Sequence, residues 1–178
     1  MTVDDLDIVH YCHPRCTPLR NIMRLPRDEA FALARCMAEL NRDTTAFYRF
    51  ADFEHYYPRR LQTDALLRSR FIDLGGRPVE EHPLSFVLQG SDFLAGWFDH
   101  GHAIRIPLRS IPAESVSFTY GDSMSTLERS GQLTMLTKDM LLKAIAAHDG
   151  PLETFLTDLN ARYHYMEVQL WDDACLGL

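Results

Sequence analysis

Lysine is nearly missing from this chain. Of 18 basic residues only Lys138 and Lys143 are lysine, so 16 are arginine. Long apolar runs are missing as well, and none approaches the ~18 residues that a membrane helix needs. Met1–His10 carries three Asp and no basic stretch, which excludes a secretory signal as its reading. Cysteine is sparse, with Cys12, Cys16, Cys36 and Cys175 the only four. A chain of 178 residues buries roughly 70% of its unfolded surface, so it needs no disulfide framework, and free thiols are expected. No repeat, low-complexity linker or domain boundary is visible. Walker A, GxGxxG, GxSxG, HExxH and EF-hand patterns are all absent, which removes the common kinases, Rossmann oxidoreductases, α/β-hydrolases and zincins. These absences lead to the expectation of one soluble, cytoplasmic, globular domain over residues 1–178.

What is present sharpens that outline. Hydrophobic residues make up 46% of the chain, with 10 Phe and 7 Tyr, which excludes intrinsic disorder. The net charge of −7 is unevenly placed. Residues 1–80 hold 12 Arg and 12 acidic residues, whereas 81–178 hold 6 basic and 13 acidic ones. Acidity without a basic block argues against general nucleic-acid binding, because phosphate contacts need clustered positive charge. The Arg-rich front half still suits a local anion site, since Arg offers a planar two-pronged donor. A GC-rich coding sequence would favour Arg over Lys equally well.

Apolar spacing predicts alternating strands and helices, hence an α+β fold. The expected sheet is mixed or antiparallel, with about five to six strands and flanking helices. Strands are expected over 7–13, 46–50, 82–89, 103–108, 115–120 and 163–171. A helix is expected after Pro26 through Asn41, with Asp28 and Glu29 in its first turn. Thr63 should cap a helix carrying Leu67, Phe71 and Leu74, ended by Gly75-Gly76. Ser91 should cap a short helix, Thr137 one over 138–148, and Pro151 should open one reaching about Arg162. Gly121-Asp122-Ser123 reads as a turn. Along the last strand, His164, Met166, Val168 and Leu170 form one face. Tyr163, Tyr165, Glu167, Gln169 and Trp171 form the other.

Four places have residue types suited to chemistry. His10-Tyr11-Cys12-His13-Pro14-Arg15-Cys16 gathers zinc-type ligands, but ligand pairs normally come from two separated places, so no metal is expected. The stretch from Phe47 to Arg60 interleaves rings with Arg, which suits stacking on a base and gripping phosphate. Equally, its rings could fill the edge of the core. Ser117–Ser123 offers hydroxyls and a Gly at a strand end, as a plain turn also would. Glu167 is the strongest candidate. A carboxylate inside so apolar a strand is costly to bury unless paired, and Tyr165, Gln169 and Trp171 share its predicted face. A wet sheet surface is the alternative.

His10 (or His13) in Val9-His10-Tyr11-Cys12-His13, Asn21 in Arg20-Asn21-Ile22 and Glu167 in Tyr165-Met166-Glu167-Val168-Gln169 together carry a resemblance. Ile106-Pro107-Leu108 through Ser117-Phe118-Thr119 adds a middle strand pair. The chain resembles the ADP-ribosyltransferase superfamily, in particular its bacterial, DNA-targeting toxin-like branch. The resemblance implies a small split-sheet α+β fold that grips NAD. It implies that His10 and rings such as Tyr48 and Tyr165 orient the nicotinamide, and that Asn21 lies in the cofactor site. Arg49 or Arg59 would hold the pyrophosphate. Glu167 would bind the ribose, stabilise the oxocarbenium-like charge as nicotinamide leaves, and act as base toward the acceptor. Two other readings stand beside it. One is a non-catalytic interaction domain, homo-oligomeric or bound to a partner protein, because rings and Arg are typical interface anchors. The other is a different enzyme, metal-dependent ones included.

Overall fold

In the computed structural model, which describes residues 2–177, six strands form one antiparallel sheet in the order β3-β1-β2-β6-β4-β5. They are β1 (Asp7–Cys12), β2 (Leu84–Leu88), β3 (His102–Pro107), β4 (Val116–Tyr120), β5 (Met135–Thr137) and β6 (Met166–Leu170). Strand β2 pairs with the first strand, β1, on one side and with the last, β6, on the other, so the described chain folds as a single α+β domain. The helices are α1 (Arg27–Leu40), α2 (Tyr48–Ala51), α3 (Phe53–Asp73), α4 (Asp92–Trp97), α5 (Ser123–Ser130), α6 (Lys138–Ala146) and α7 (Leu152–Tyr163). No helix among the described residues is long and apolar enough to cross a membrane.

Strand alternation divides the sheet into two faces. On one, Ile8 pairs with Leu88, and Phe86, Val168, Phe118 and Leu136 follow each other across β2, β6, β4 and β5. Leu141 and Ile145 of α6 and Leu152, Leu156 and Leu159 of α7 pack on this face as the main core. On the other face, Val9, Val87, Glu167, Thr119 and Met135 form a row across the strands. Leu67 and Phe71 of α3 cover it together with Trp171. Helix α1 packs outside α3 through Ala30, Ala34 and Phe53. The sheet is therefore sandwiched between helices, and β6 is buried on both faces along its whole length.

Several local expectations hold because they rest on local chemistry. The side chains of Ser91 and Thr137 accept the N–H of Leu94 and Met140, capping α4 and α6. Pro151 immediately precedes α7. Others are corrected. Residues 46–50 are not a strand but a helical turn leading into α2, capped by Thr44, whose side chain accepts from Ala46 N. Their rings lie in an aromatic cluster running from His13 through Phe47 and Phe50 to Phe53, and this packing overrides strand propensity. Thr63 is no cap but lies buried inside α3, which starts ten residues earlier and accommodates Pro58 near its beginning. Gly121-Asp122-Ser123 is a turn only at Gly121, since Asp122 caps α5 and accepts from Ser125 N at 2.7 Å. The last strand is shorter than expected, because α7 continues through Tyr163 and His164 turns the chain with φ at 66°. β5 was not anticipated at all, as three residues carry too little alternation to read.

Candidate functional site

Glu167 lies on the face that α3 covers, and only 5% of it is exposed. Its carboxylate is provided for on two sides. Oε2 accepts the Ser123 backbone N–H at 2.6 Å, from the first turn of α5, where the helix dipole favours negative charge. Oε1 lies 4.0 Å from Nη1 of Arg60, which α3 delivers from above. Gly121 makes this approach possible. It adopts φ of 69°, a conformation costly for other residues, and ties the end of β4 to β6 through its N–H and the Tyr165 carbonyl. The alternative of a wet sheet surface at Glu167 is thus overturned, since this face of the last strand is buried.

Arg60 is shared. Its Nη2 lies 2.7 Å from Oδ1 of Asp64, one helical turn on, and Asp64 Oδ2 meets His82 Nδ1 at 2.7 Å. One guanidinium therefore serves two buried carboxylates. Burial pushes the Glu167 carboxyl upward, the Asp122 carboxylate adds to this, and Arg60 and the Ser123 N–H only partly offset them, so its pKa is raised. Asp122 goes the other way. Burial would raise it, but Arg49 and the Ser125 N–H outweigh that, and its pKa is lowered. Two neighbouring carboxyls are thus pushed apart, with Asp122 held ionised. Such divergence is characteristic of functional sites, though structural networks show it too.

Next to these carboxylates, six side chains are arranged as a circuit of neighbours. The Arg49 guanidinium sits 5.6 Å from the Tyr48 ring centre, and its Nε donates to Tyr48 Oη at 2.9 Å. Tyr48 meets Trp97 edge-on at 5.8 Å, Trp97 stacks with Phe93 at 6.2 Å, and Phe93 stacks with Tyr165 at 6.4 Å. The Asp122 carboxylate acts electrostatically on the Tyr165 hydroxyl and lies 3.4 Å from Arg49 Nη2. Burial, then Asp122 and Glu167, push the Tyr165 hydroxyl well above its ordinary range, so it stays a neutral donor. Burial opposes the Arg49 charge, yet Asp122 and the two tyrosines Tyr56 and Tyr48 more than offset that. Tyr48 and Phe93 remain 53% and 50% exposed, which is unusual for rings this large.

Local sequence explains how α4 brings its rings here. The Ser91 hydroxyl accepts from Leu94 N and donates to the His164 carbonyl at 3.2 Å, fixing α4 to the entrance of β6. Ser91 N donates to Tyr11 Oη at 3.1 Å, which adds β1 to the same anchor. Phe93 thereby stacks on His164 at 5.2 Å as well as on Tyr165.

The circuit includes Arg49, Tyr48 and Tyr165, with Glu167 two residues along the strand from Tyr165. It leaves out three other residues predicted from the sequence. His10 alternates with Val9, so it projects from the opposite side of the sheet to Glu167, and its ring packs on Phe86. There its Nδ1 meets the Ser85 carbonyl at 2.9 Å and its Nε2 accepts Leu19 N–H at 3.1 Å, which fixes a neutral ring. Burial lowers its pKa accordingly. Asn21 is occupied at both ends, accepting from Met23 N and donating to the Pro83 carbonyl. Arg59 pairs with Glu128 at the surface. Among the described residues, no three His, Cys, Asp or Glu side chains gather as a metal ion would require.

The sequence placed Arg60 in the ring- and Arg-rich stretch but not beside Glu167, and it did not single out Asp64, Phe93 and Trp97. Arg60 and Asp64 carry a readable signal, four residues apart on a helix, but it is lost if Pro58 is taken as a break. Phe93 and Trp97 have the same spacing on α4 and read as core-facing. Comparison of the chain with family models, curated proteins and solved structures finds no match.

Proposed function

We propose that this chain binds a nucleotide-like ligand at the circuit formed by Arg49, Tyr48, Trp97, Phe93, Tyr165 and Asp122. One observation carries the proposal: two large rings left half exposed beside a partly buried guanidinium. Exposed ring faces attract a flat base or nicotinamide, and a guanidinium matches phosphate geometry. NAD and its fragments are the ligand class that combines both features. The Arg49–Asp122 contact is long at 3.4 Å, so a phosphate can draw the guanidinium away at little cost.

The ADP-ribosyltransferase-like reading is the catalytic form of this proposal. It is supported by Glu167, a carboxylate beside the ring site whose pKa is raised. That form requires Glu167 to exchange its Arg60 and Ser123 contacts for a ribose hydroxyl. The non-catalytic reading requires no such rearrangement, and the existing contacts of Glu167 to Ser123 and Arg60 favour it. Glu167 then holds α5 and α3 in place beneath a binding surface.

The test is to follow the melting temperature of the purified chain against NAD, ADP-ribose, AMP and nicotinamide. Ligand at 100 times its Kd stabilises by ~2.7 kcal/mol, or roughly 5–10 °C for a chain of this size. Phe93→Ala and Arg49→Met should each abolish that rise while leaving the free protein folded. A flat response to all four compounds removes the proposal. Release of nicotinamide from NAD, lost in Glu167→Gln, would select the catalytic form.

A further inference from the structure

We propose that His82 is a phosphoryl-acceptor histidine, taking the group on Nε2 from a phosphoramidate, a donor whose phosphorus is bonded to nitrogen. His82 lies in the loop between α3 and β2. Its Nδ1 meets Asp64 Oδ2 at 2.7 Å, and Asp64 is 0% exposed. Arg60 holds the other Asp64 oxygen at 2.7 Å, which fixes the carboxylate. A carboxylate only accepts, so the shared proton sits on Nδ1 and the Nε2 lone pair is left free. Among the described residues Nε2 has no hydrogen-bond partner, and the side chain keeps 14% of its surface open to solvent. A buried carboxylate in this position orients the imidazole and balances the charge that develops when Nε2 gains a bond. Two other His–Asp pairs lack this combination. His55 Nδ1 also meets Asp52 at 2.7 Å, but the two side chains are 78% and 69% exposed. His148 engages Asp158 through Nε2 and keeps Nδ1 enclosed.

Two guanidiniums hold the His82 loop. Arg24 Nε donates to the His82 carbonyl at 2.8 Å, and Arg68, one turn along α3 from Asp64, donates to the Pro78 carbonyl at 3.4 Å. Asp173 and Glu80 are the acidic neighbours of Arg24, at 2.5 and 4.0 Å. Arg24 Nη2 and Arg68 Nε are nevertheless enclosed without an acceptor. Such N–H groups call for one, and phosphoryl oxygens match guanidinium geometry. The pairing of Leu84 with Leu170 puts His82 near the far end of β6, roughly 17 Å along the strand from Tyr165. This site is therefore separate from the ring circuit. In the transfer step the Nε2 lone pair attacks the phosphorus of phosphoramidate. The P–N bond breaks and its electron pair goes to the nitrogen, which already carries three protons and leaves as ammonia. The Nδ1 proton stays in the Asp64 hydrogen bond, and that carboxylate balances the phosphorylated imidazolium.

The test incubates the full chain with potassium phosphoramidate. Digestion at alkaline pH, where phosphohistidine survives, and fragmentation mass spectrometry then place the group. His82 should be phosphorylated severalfold faster than His55, although His55 is far more exposed and has a carboxylate of its own. Phosphorus NMR should show the Nε2 isomer, and His82→Gln should remove the fast phase. In Asp64→Asn the His82 rate should fall to that of His55 in the same molecules. The wild-type comparison decides the matter without any variant. The proposal fails if His82 reacts no faster than His55, if the group resides on Nδ1, or if folded Asp64→Asn protein keeps the wild-type rate.

Discussion

Replacing Arg60 with Met should be the most damaging single change in the site region. Met keeps much of the unbranched stem that packs beneath α3, so the loss is chiefly of charge. Arg60 is 6% exposed and faces Asp64 at 2.7 Å and Glu167 at 4.0 Å, both carboxylates being 5% exposed or less. Removing one partner of a buried ion pair typically costs 3–5 kcal/mol, because the remaining charge stays buried without compensation. Here two carboxylates are left. For a chain of this size that corresponds to a melting temperature lower by roughly 6–20 °C. The pH dependence separates this cause from lost packing. Without Arg60, the Glu167 carboxyl, already raised by burial and Asp122, has a folded pKa still further above its unfolded one. A carboxyl raised in this way contributes stability at low pH that is lost as pH rises through the folded value. The deficit of Arg60→Met should therefore shrink as pH falls from 7.5 toward 5. Thermal unfolding of variant and wild type across that range is the assay. A deficit below about 1 kcal/mol at pH 7.5, or one that grows on acidification, would refute the reasoning.

Three further outcomes are expected. Burial lowers the pKa of His10, and this stabilises the fold above the unfolded value near 6.5, an advantage lost as pH falls through it. The difference in unfolding free energy between wild type and His10→Gln should therefore decline by up to ~1.4 kcal/mol per pH unit below about 6.5, and a flat difference would sink that account. The Asp43 carboxyl, held down to about 2 by Arg15, should titrate near that value by carbon-detected NMR, and a midpoint at the ordinary 3.8 would mean the Arg15 clamp is not formed in solution. Its contribution to stability is present above the unfolded value and lost as pH falls through about 2. Gly101→Ala should destabilise the chain by about 1–3 kcal/mol, because a Cβ there collides with the Cys12 carbonyl and Pro14; an unchanged melting temperature would show that this turn yields.

Glu167 stood out in the sequence for a sound reason, since a carboxylate amid Met166, Val168 and Leu170 demands a partner. Its partner was not legible. Arg60 lies more than a hundred positions away, and nothing in either segment states that α3 crosses β6. The same holds for Phe93. Its stacking on Tyr165 and His164 depends on Ser91 reaching the His164 carbonyl, a contact between distant segments.

Local chemistry in the sequence determined the α+β class, most strand centres, and the starts of α4, α6 and α7. Caps, proline and two-residue alternation act within a few residues, so they survive without tertiary context. Tertiary structure decided the rest. Packing against His13 and Phe53 turned residues 46–50 helical, although their own preference was for a strand. Register placed His10 and Glu167 on opposite faces of the sheet, because side-chain direction reverses at every residue and only the pairing of Val9 with Val87, and of Val87 with Glu167, sets the phase. Where rings and charges from distant segments meet depends on how α3 and α4 close over that sheet.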